Sequence, residues 1–142
     1  MMLRELDGKI IDMNGSVLGF TQFRHFELRH MGEDSPFAYL QCVEDEDVGF
    51  VVASPFSFFS DYEFELPEAE KNLLKLTRPE EALVLGIITL KQPFEESTMN
   101  LIAPIVINVN ERIGRQIVLP PKYDFGTKHR LFVPAEREGG VR

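Results

Sequence analysis

Two short apolar runs on either side of four consecutive acids set the pattern of this chain. Phe37–Val43 and Gly49–Ala53 carry the β-prone residues, and Glu44, Asp45, Glu46 and Asp47 lie between them. Runs of that length joined by a few polar residues predict a β-hairpin. Carboxylates cannot be buried without partners, so the four acids form its exposed tip. Pro55 follows the second run and ends regular pairing there, because it has no N–H to give. Six of the twelve phenylalanines (Phe37, Phe50, Phe56, Phe58, Phe59, Phe64) fall between residues 36 and 66, with Tyr39 and Tyr62 beside them. The expectation is a dense aromatic core on one side of the hairpin and an acidic edge on the other.

The rest of the chain reads around that hairpin. Ile10-Ile11 starts a strand. Ser16–Phe20 is a tight bend in which Gly19 supplies a backbone angle a Cβ would forbid, setting Phe20 against the core. From Phe23 to Arg29 polar and apolar residues alternate, with Arg24, Phe26, Leu28 and His30 on one side, so this is a strand with a wet face. Asp61–Leu66 alternates too, with Tyr62, Phe64 and Leu66 inward. Pro67 then opens a helix over about 68–76, proline being suited to a first helical position. Its acids precede its lysines, which suits the helix dipole. Its leucines form a narrow stripe, as on a short helix lying against a sheet. Thr77-Arg78-Pro79-Glu80 has capping-box spacing and predicts a further helical turn.

Ala82–Leu90 is apolar on both faces and reads as a central strand. Leu101–Asn108 is apolar but broken by Pro104, which implies a bulge or an edge. Gln116–Leu119 is another β-branched run, stopped by Pro120-Pro121. From about residue 124 the chain is expected to be a basic, mobile tail. The count is about seven to nine strands with no strand–helix alternation. The predicted fold is mainly β: an antiparallel barrel-like or prism-like sheet with one short helix, forming a single domain over residues 1–142.

Charge sharpens this picture. The net charge is −8. Residues 1–50 carry 4 basic and 10 acidic groups, residues 51–100 carry 4 and 9, and residues 101–142 carry 7 and 4. Such a body is repelled by nucleic acid and by anionic lipid, and it attracts a basic partner. The same charge also keeps a protein soluble. No apolar run approaches the roughly 18 residues needed to span a bilayer, and the charged N-terminus lacks an apolar leader core. The lone cysteine, Cys42, forms no intramolecular disulfide. A cytoplasmic protein is expected.

Chemistry is sparse. His25 and His30 stand five apart, on opposite faces of a strand, which is poor geometry for one metal. His129 is far along the chain. Cys42 sits inside an apolar run, as a small hydrophobe does. No phosphate loop, dinucleotide fingerprint or nucleophile elbow occurs. Asp45 and Asp47 lack the glycine and the distal glutamate of a calcium loop. Asp61 and Glu63 share a strand face but have no pocket near them in sequence. Asn100 and Asn108 read as satisfying backbone groups at turns. No cofactor, metal or reaction is expected. The competing possibility is a small-ligand or metal enzyme on a barrel, with His25 or His129 beside a carboxylate in a polar pocket.

Four blocks resemble one family. They are Ile10-Ile11-Asp12-Met13 with Ser16-Val17-Leu18-Gly19-Phe20; Ser35-Pro36-Phe37, Leu40-Gln41 and Val43-Glu44-Asp45 with Phe50-Val51-Val52 and Pro55-Phe56; Phe59 with Asp61-Tyr62-Glu63; and Thr98 to Asn108 with Gln116. This pattern, over roughly residues 10–130, is similar to the flagellar assembly factor FliW. Met13 stands where the family has phenylalanine, Ser16 where it has glycine, and the first strand, ahead of Ile10, is expected to be shortened. The resemblance implies a cytoplasmic, non-enzymatic regulator. Such proteins bind flagellin and the RNA-binding regulator CsrA, relieving repression of flagellin translation, and free flagellin competes for them. The alternative within the resemblance is a chaperone that shields flagellin without a translational role. The candidate partner-binding residues are Glu44, Asp45, Glu46 and Asp47 at the tip, Asp61 and Glu63 around the Tyr62 ring, and Phe58. An exposed ring among Phe56, Phe58 and Phe59 would mark the flagellin contact, because an amphipathic helix wants a hydrophobic groove.

Overall fold

Alternating burial along β-branched and aromatic segments is what closes this chain into a barrel. The computed structural model describes residues 2–32 and 34–132. The strands are β1 (Ile10–Asp12), β2 (His25–His30), β3 (Phe37–Cys42), β4 (Gly49–Ala53), β5 (Ala82–Thr89), β6 (Thr98–Met99), β7 (Ile105–Asn108), β8 (Ile113–Gln116) and β9 (His129–Arg130). Two short helices join them, α1 (Met2–Glu5) and α2 (Glu68–Leu73). Strands β4-β3-β2-β1-β8-β7-β5 follow one another, and β5 pairs back onto β4, so seven strands form a closed ring. The closure uses one parallel bridge, Asp12 to Ile113, in an otherwise antiparallel ladder. Strands β6 and β9 extend as a flap from the end of β5.

The lumen is aliphatic with one central ring. Ile11, Met13, Phe26, Leu28, Leu40, Leu85 and Ile105 fill it, each at most 1% exposed. Leu3 and Leu6, from α1 and the turn after it, pack into the same cluster. Most aromatics instead cover the outer face of β4 and β5. Tyr62 is buried there with Ile88 and Met99, against Phe37, Phe58, Phe59, Phe64 and Phe125. A third cluster sets Leu74, just past α2, against Val106, Ile117 and Leu119. Thus the aromatic layer does lie on one side of the hairpin, but outside the barrel.

The glycine bend is tied down by a distant residue. Gly19 has φ +84°. Ser16 Oγ donates to the Met13 carbonyl at 2.6 Å and accepts from the Gln116 N–H at 3.0 Å. The Gln116 amide also accepts from Leu18 N–H at 2.8 Å and donates to the Ala103 carbonyl at 3.1 Å. The serine hydroxyl therefore links the bend to β8.

Several boundaries differ from the sequence reading. Helix α2 ends at Leu73 rather than near 76, and Pro67 caps it with extended ψ instead of starting it. Ahead of β1 the chain forms α1, which the sequence reading did not include. Asp61–Leu66 is not a strand: Tyr62 and Phe64 turn inward by packing on the barrel, with no ladder beside them. The Leu101–Asn108 run pairs only from Ile105, because residues 100–104 form a turn in which Asn100 Oδ1 accepts from the N–H of Ile102 and Ala103. Strand β8 precedes the expected Gln116–Leu119 run and shares only Gln116 with it. The capping carboxylate after α2 is Glu81, not Glu80; it accepts from Thr77 N–H, Thr77 Oγ1 and Arg78 N–H. Of the basic tail expected from about residue 124, residues 124–132 include β9, which pairs with β6, and Leu101 N–H donates to the Gly126 carbonyl. The rest of that tail lies outside the described residues.

Candidate partner-binding surfaces

The first surface is the hairpin tip. Strands β3 and β4 pair from Phe37 opposite Ala53 to Gln41 opposite Gly49, and residues 43–48 make the turn. One side chain gathers that turn. Gln41 Nε2 lies 3.1 Å from the carbonyl oxygens of Cys42 and Val48, 3.2 Å from that of Glu46 and 3.4 Å from that of Asp45. Backbone acceptors therefore point inward, and the acidic side chains are left to the outside. Asp45 Oδ1 accepts from Asp47 N–H at 2.9 Å and fixes the loop further.

The four acids then separate into two roles. Glu44 leans onto β2. It accepts from His25 N–H at 3.2 Å, and His25 Nδ1 lies 3.1 Å from its other oxygen. Partial desolvation pushes the Glu44 carboxyl up, but the bonds from the His25 ring and backbone outweigh it and hold it below the usual range. Glu46 and Asp47 are exposed, and among the described residues their carboxylates have no hydrogen bond or ion pair. Beside them, Ile10 and Val43 are 49% and 53% exposed and line a shallow cavity of about 590 Å3 with Glu27, Arg29 and Glu46. The sequence reading missed Ile10 and Val43. The available signal was Val43, an apolar residue standing directly against the acidic run.

The second expected surface changes character. Tyr62 is 4% exposed and donates its hydroxyl to the Leu101 carbonyl at 2.8 Å. Its ring centroid lies 4.7 Å from that of Phe125 and 5.6 Å from that of Phe64. Burial pushes its hydroxyl pKa up. The expectation that this ring is offered to a partner is corrected: only Asp61 and Glu63, on either side, face solvent. Phe58 is corrected likewise. It is partly buried between Phe37 and Phe132, with centroids at 5.8 and 6.0 Å. The exposed ring of the trio is Phe56, at 47%. Phe56 lines two cavities, of about 330 and 660 Å3, with Ala82 and Val84 common to both.

Each histidine has a different neighbour. His25 and Glu44 meet on the open surface, with side chains 46% and 38% exposed. His30 Nε2 lies 2.9 Å from the Ser35 carbonyl. His129 Nε2 accepts from Gly126 N–H at 2.8 Å, and its ring packs edge-on to Phe59. Among the described residues no three His, Cys, Asp or Glu side chains converge as metal ligands would. Cys42 is 2% exposed, and burial pushes its thiol pKa up. Among the described residues no helix is long and apolar enough to cross a membrane.

The model of the FliW protein family matches residues 3–131 of this chain. The chain belongs to the FliW family. The flagellar assembly factor FliW of Bacillus licheniformis is 44% identical over 113 residues, covering 80% of this chain and 78% of that protein. The FliW of Bacillus subtilis strain 168 is 40% identical over 123 residues, covering 87% and 85%. That of Clostridium beijerinckii is 41% identical over 110 residues, covering 78% of each. A solved structure, the crystal structure of the flagellar assembly factor FliW, superposes with a TM-score of 0.82 at 36% identity, covering 89% of this chain and 87% of that one. Among FliW proteins, then, this chain shares both the sequence and the barrel.

Proposed function

We propose that this FliW-family protein is a cytoplasmic, single-domain, non-enzymatic regulator that binds CsrA and flagellin, so that CsrA held by it no longer represses flagellin translation. One observation carries the CsrA half: Glu46 and Asp47 stand exposed, and unpaired among the described residues, on a tip organised by Gln41, beside exposed Ile10 and Val43. A protein that holds RNA phosphates is basic, and it meets such a surface with charge attraction around an apolar contact. The flagellin half is supported by Phe56, which projects from the opposite end of β4. Nucleic acid and membrane are not partners on this reading, because the body is acidic.

The test is titration of the purified protein with CsrA and with flagellin in turn, followed by each in the presence of the other. Binding of both, with CsrA released as flagellin is added, supports the reading. Binding of flagellin alone leaves the shielding chaperone. Binding of neither removes both.

A further inference from the structure

The barrel closes through a short seam. Strand β4 pairs with β5 only from Ala53 opposite Gly86 to Val51 opposite Ile88. Carried on in the same register, Pro55 would come opposite Val84. Proline has no N–H to give, and the chain turns away there in the 3-10 turn Pro55–Ser57. Residues 82–85 of β5 therefore have no strand on the β4 side, while β7 pairs with them on the other.

Alternation decides which backbone groups this leaves free. The carbonyls of Glu81 and Ile87 accept from Val109 N–H and Asn100 N–H, so they face the β7 side. Successive residues of a strand turn their N–H and C=O to opposite edges, so Ala82, Val84, Gly86 and Ile88 face the β4 side. Gly86 and Ile88 meet β4 there. Ala82 N–H donates to the Pro79 carbonyl. Among the described residues, Val84 N–H, Val84 C=O and Ala82 C=O have no partner. Ala82 and Val84 are only partly buried, so these groups can be reached. Unpaired donors and acceptors on a strand edge are a template for another strand.

Room for that strand exists on both faces of the edge. Phe56, Ala82 and Val84 border two cavities. The one of about 330 Å3 on the outer face is lined by Phe64, Leu66, Leu76 and Val106. The one of about 660 Å3 is lined by Leu3 and Leu83 with Ser35, Ser54 and Ser57. Side chains of a strand alternate between its faces, so an apolar residue would enter the first cavity and a smaller or polar one the second. Charge adds a preference. On a chain of net charge −8, the two cavities carry Lys71, Arg78 and Arg4 against Glu63 and Asp34. Lys71 Nζ and Arg78 Nη2 lie 4.0 Å from Glu68 and Glu81, so both keep donors to spare for carboxylates outside the chain.

We propose that the edge of β5 at residues 82–84 takes up an extended peptide segment as an added strand, with apolar residues at alternate positions and carboxylates at its ends. Main-chain hydrogen bonds to Ala82 and Val84 hold such a segment, and the two cavities select its side chains. A helix arrives with its backbone satisfied and would leave the Val84 groups without partners. Two copies of this chain, each of net charge −8, repel one another. The inference is independent of both partners proposed above.

Amide exchange followed by NMR tests the edge first. In the chain alone, Val84 N–H should exchange at least about tenfold faster than the N–H groups of Leu83 and Leu85, which β7 holds. A Val84 amide as slow as its neighbours overturns the proposal: protection lost on dilution means that a second copy holds the edge, and protection kept means that the chain itself closes it. The binding probe is a capped synthetic peptide of alternating valine and threonine with a glutamate at each end. It should bind with a dissociation constant below about 1 mM and slow the Val84 amide. Methylating the backbone nitrogens of its valines, or instead those of its threonines, should abolish binding in one case and spare it in the other, because alternate N–H groups face opposite edges. Lys71→Glu/Arg78→Glu changes two side chains that are at least partly exposed, and a thermal melt verifies its folding. It should bind the probe about tenfold more weakly in dilute salt, with the gap narrowing as salt screens the charges. No binding below about 1 mM, binding without slowing of Val84, equal effects of the two methylations, or an unchanged affinity of the double variant would each overturn the proposal.

Discussion

Asn108 is the residue whose removal should cost this fold most per atom changed. It is 1% exposed at the end of β7, and its side chain makes four hydrogen bonds. Nδ2 donates to the carbonyls of Leu74 at 2.9 Å and Lys75 at 3.1 Å, closing the end of α2 onto the barrel. Oδ1 accepts from Asn110 N–H at 3.0 Å and Glu111 N–H at 3.1 Å, shaping the turn into β8. Asn108→Leu keeps the volume and loses all four. At about 1 kcal/mol net each, with water repairing the exposed turn groups in part, the loss is about 3 kcal/mol. For a chain of this length that lowers the melting temperature by about 10 °C. Asn108→Asp is the sharper variant. It keeps the acceptor for the turn but aims a second oxygen at two carbonyls. Burial and those carbonyls should raise its folded pKa above the unfolded value of about 3.9. A raised carboxyl is tolerated while protonated, so its deficit against the parent should be small below about pH 4 and grow as pH rises through the folded pKa. Thermal and urea melts by circular dichroism at several pH values read both effects. If Asn108→Leu melts within about 2 °C of the parent, the network is not holding α2 and the reasoning is wrong.

Two further outcomes concern the hairpin tip. Gln41→Leu removes the two amide hydrogens shared among the tip carbonyls, and leaves those of Cys42 and Glu46 without a donor within the tip, so binding of CsrA should weaken about threefold to tenfold with no charge changed, and tip amides should exchange faster; unchanged binding and exchange would remove Gln41 as the residue that positions the acids. Glu44 is held below its ordinary pKa, so its contribution is present above the usual carboxylate range and is lost as pH falls through the folded value. The stability gap between the parent and Glu44→Gln should therefore close in acid, and a gap that persists down to about pH 3 would contradict this.

Much of the barrel was legible because burial alternates strictly where it counts. Phe26 and Leu28 against Glu27 and Arg29 spell a half-wet strand, and the acids from Glu44 to Asp47 could only be a tip. Gly19 announced its left-handed turn. What escaped the reading depends on distant partners. The bridge from Asp12 to Ile113 that closes the ring pairs one residue with one residue, too little to leave a pattern. Tyr62 is buried because the Leu101 carbonyl, 39 residues away, accepts its hydroxyl. Asp61–Leu66 has the strand period because it packs flat on the barrel, and period alone does not reveal whether a ladder runs beside it. Which of Phe56, Phe58 and Phe59 faces out is set by the 3-10 turn at Pro55–Ser57, a matter of one backbone rotation. Glu46 and Asp47 could not be distinguished from Glu44 and Asp45 by composition; only the positions of His25 and of the Asp47 N–H separate the free carboxylates from the occupied ones.

The acidic tip is proposed to meet a basic protein. The most direct measurement of that contact is the dissociation constant of CsrA for the parent and for Glu46→Lys/Asp47→Lys, taken across a range of salt. These carboxylates hold nothing among the described residues, so the variant should melt like the parent. It should bind about tenfold more weakly or worse in dilute salt, with a flatter salt dependence. An affinity and a salt slope equal to the parent's would contradict the central claim.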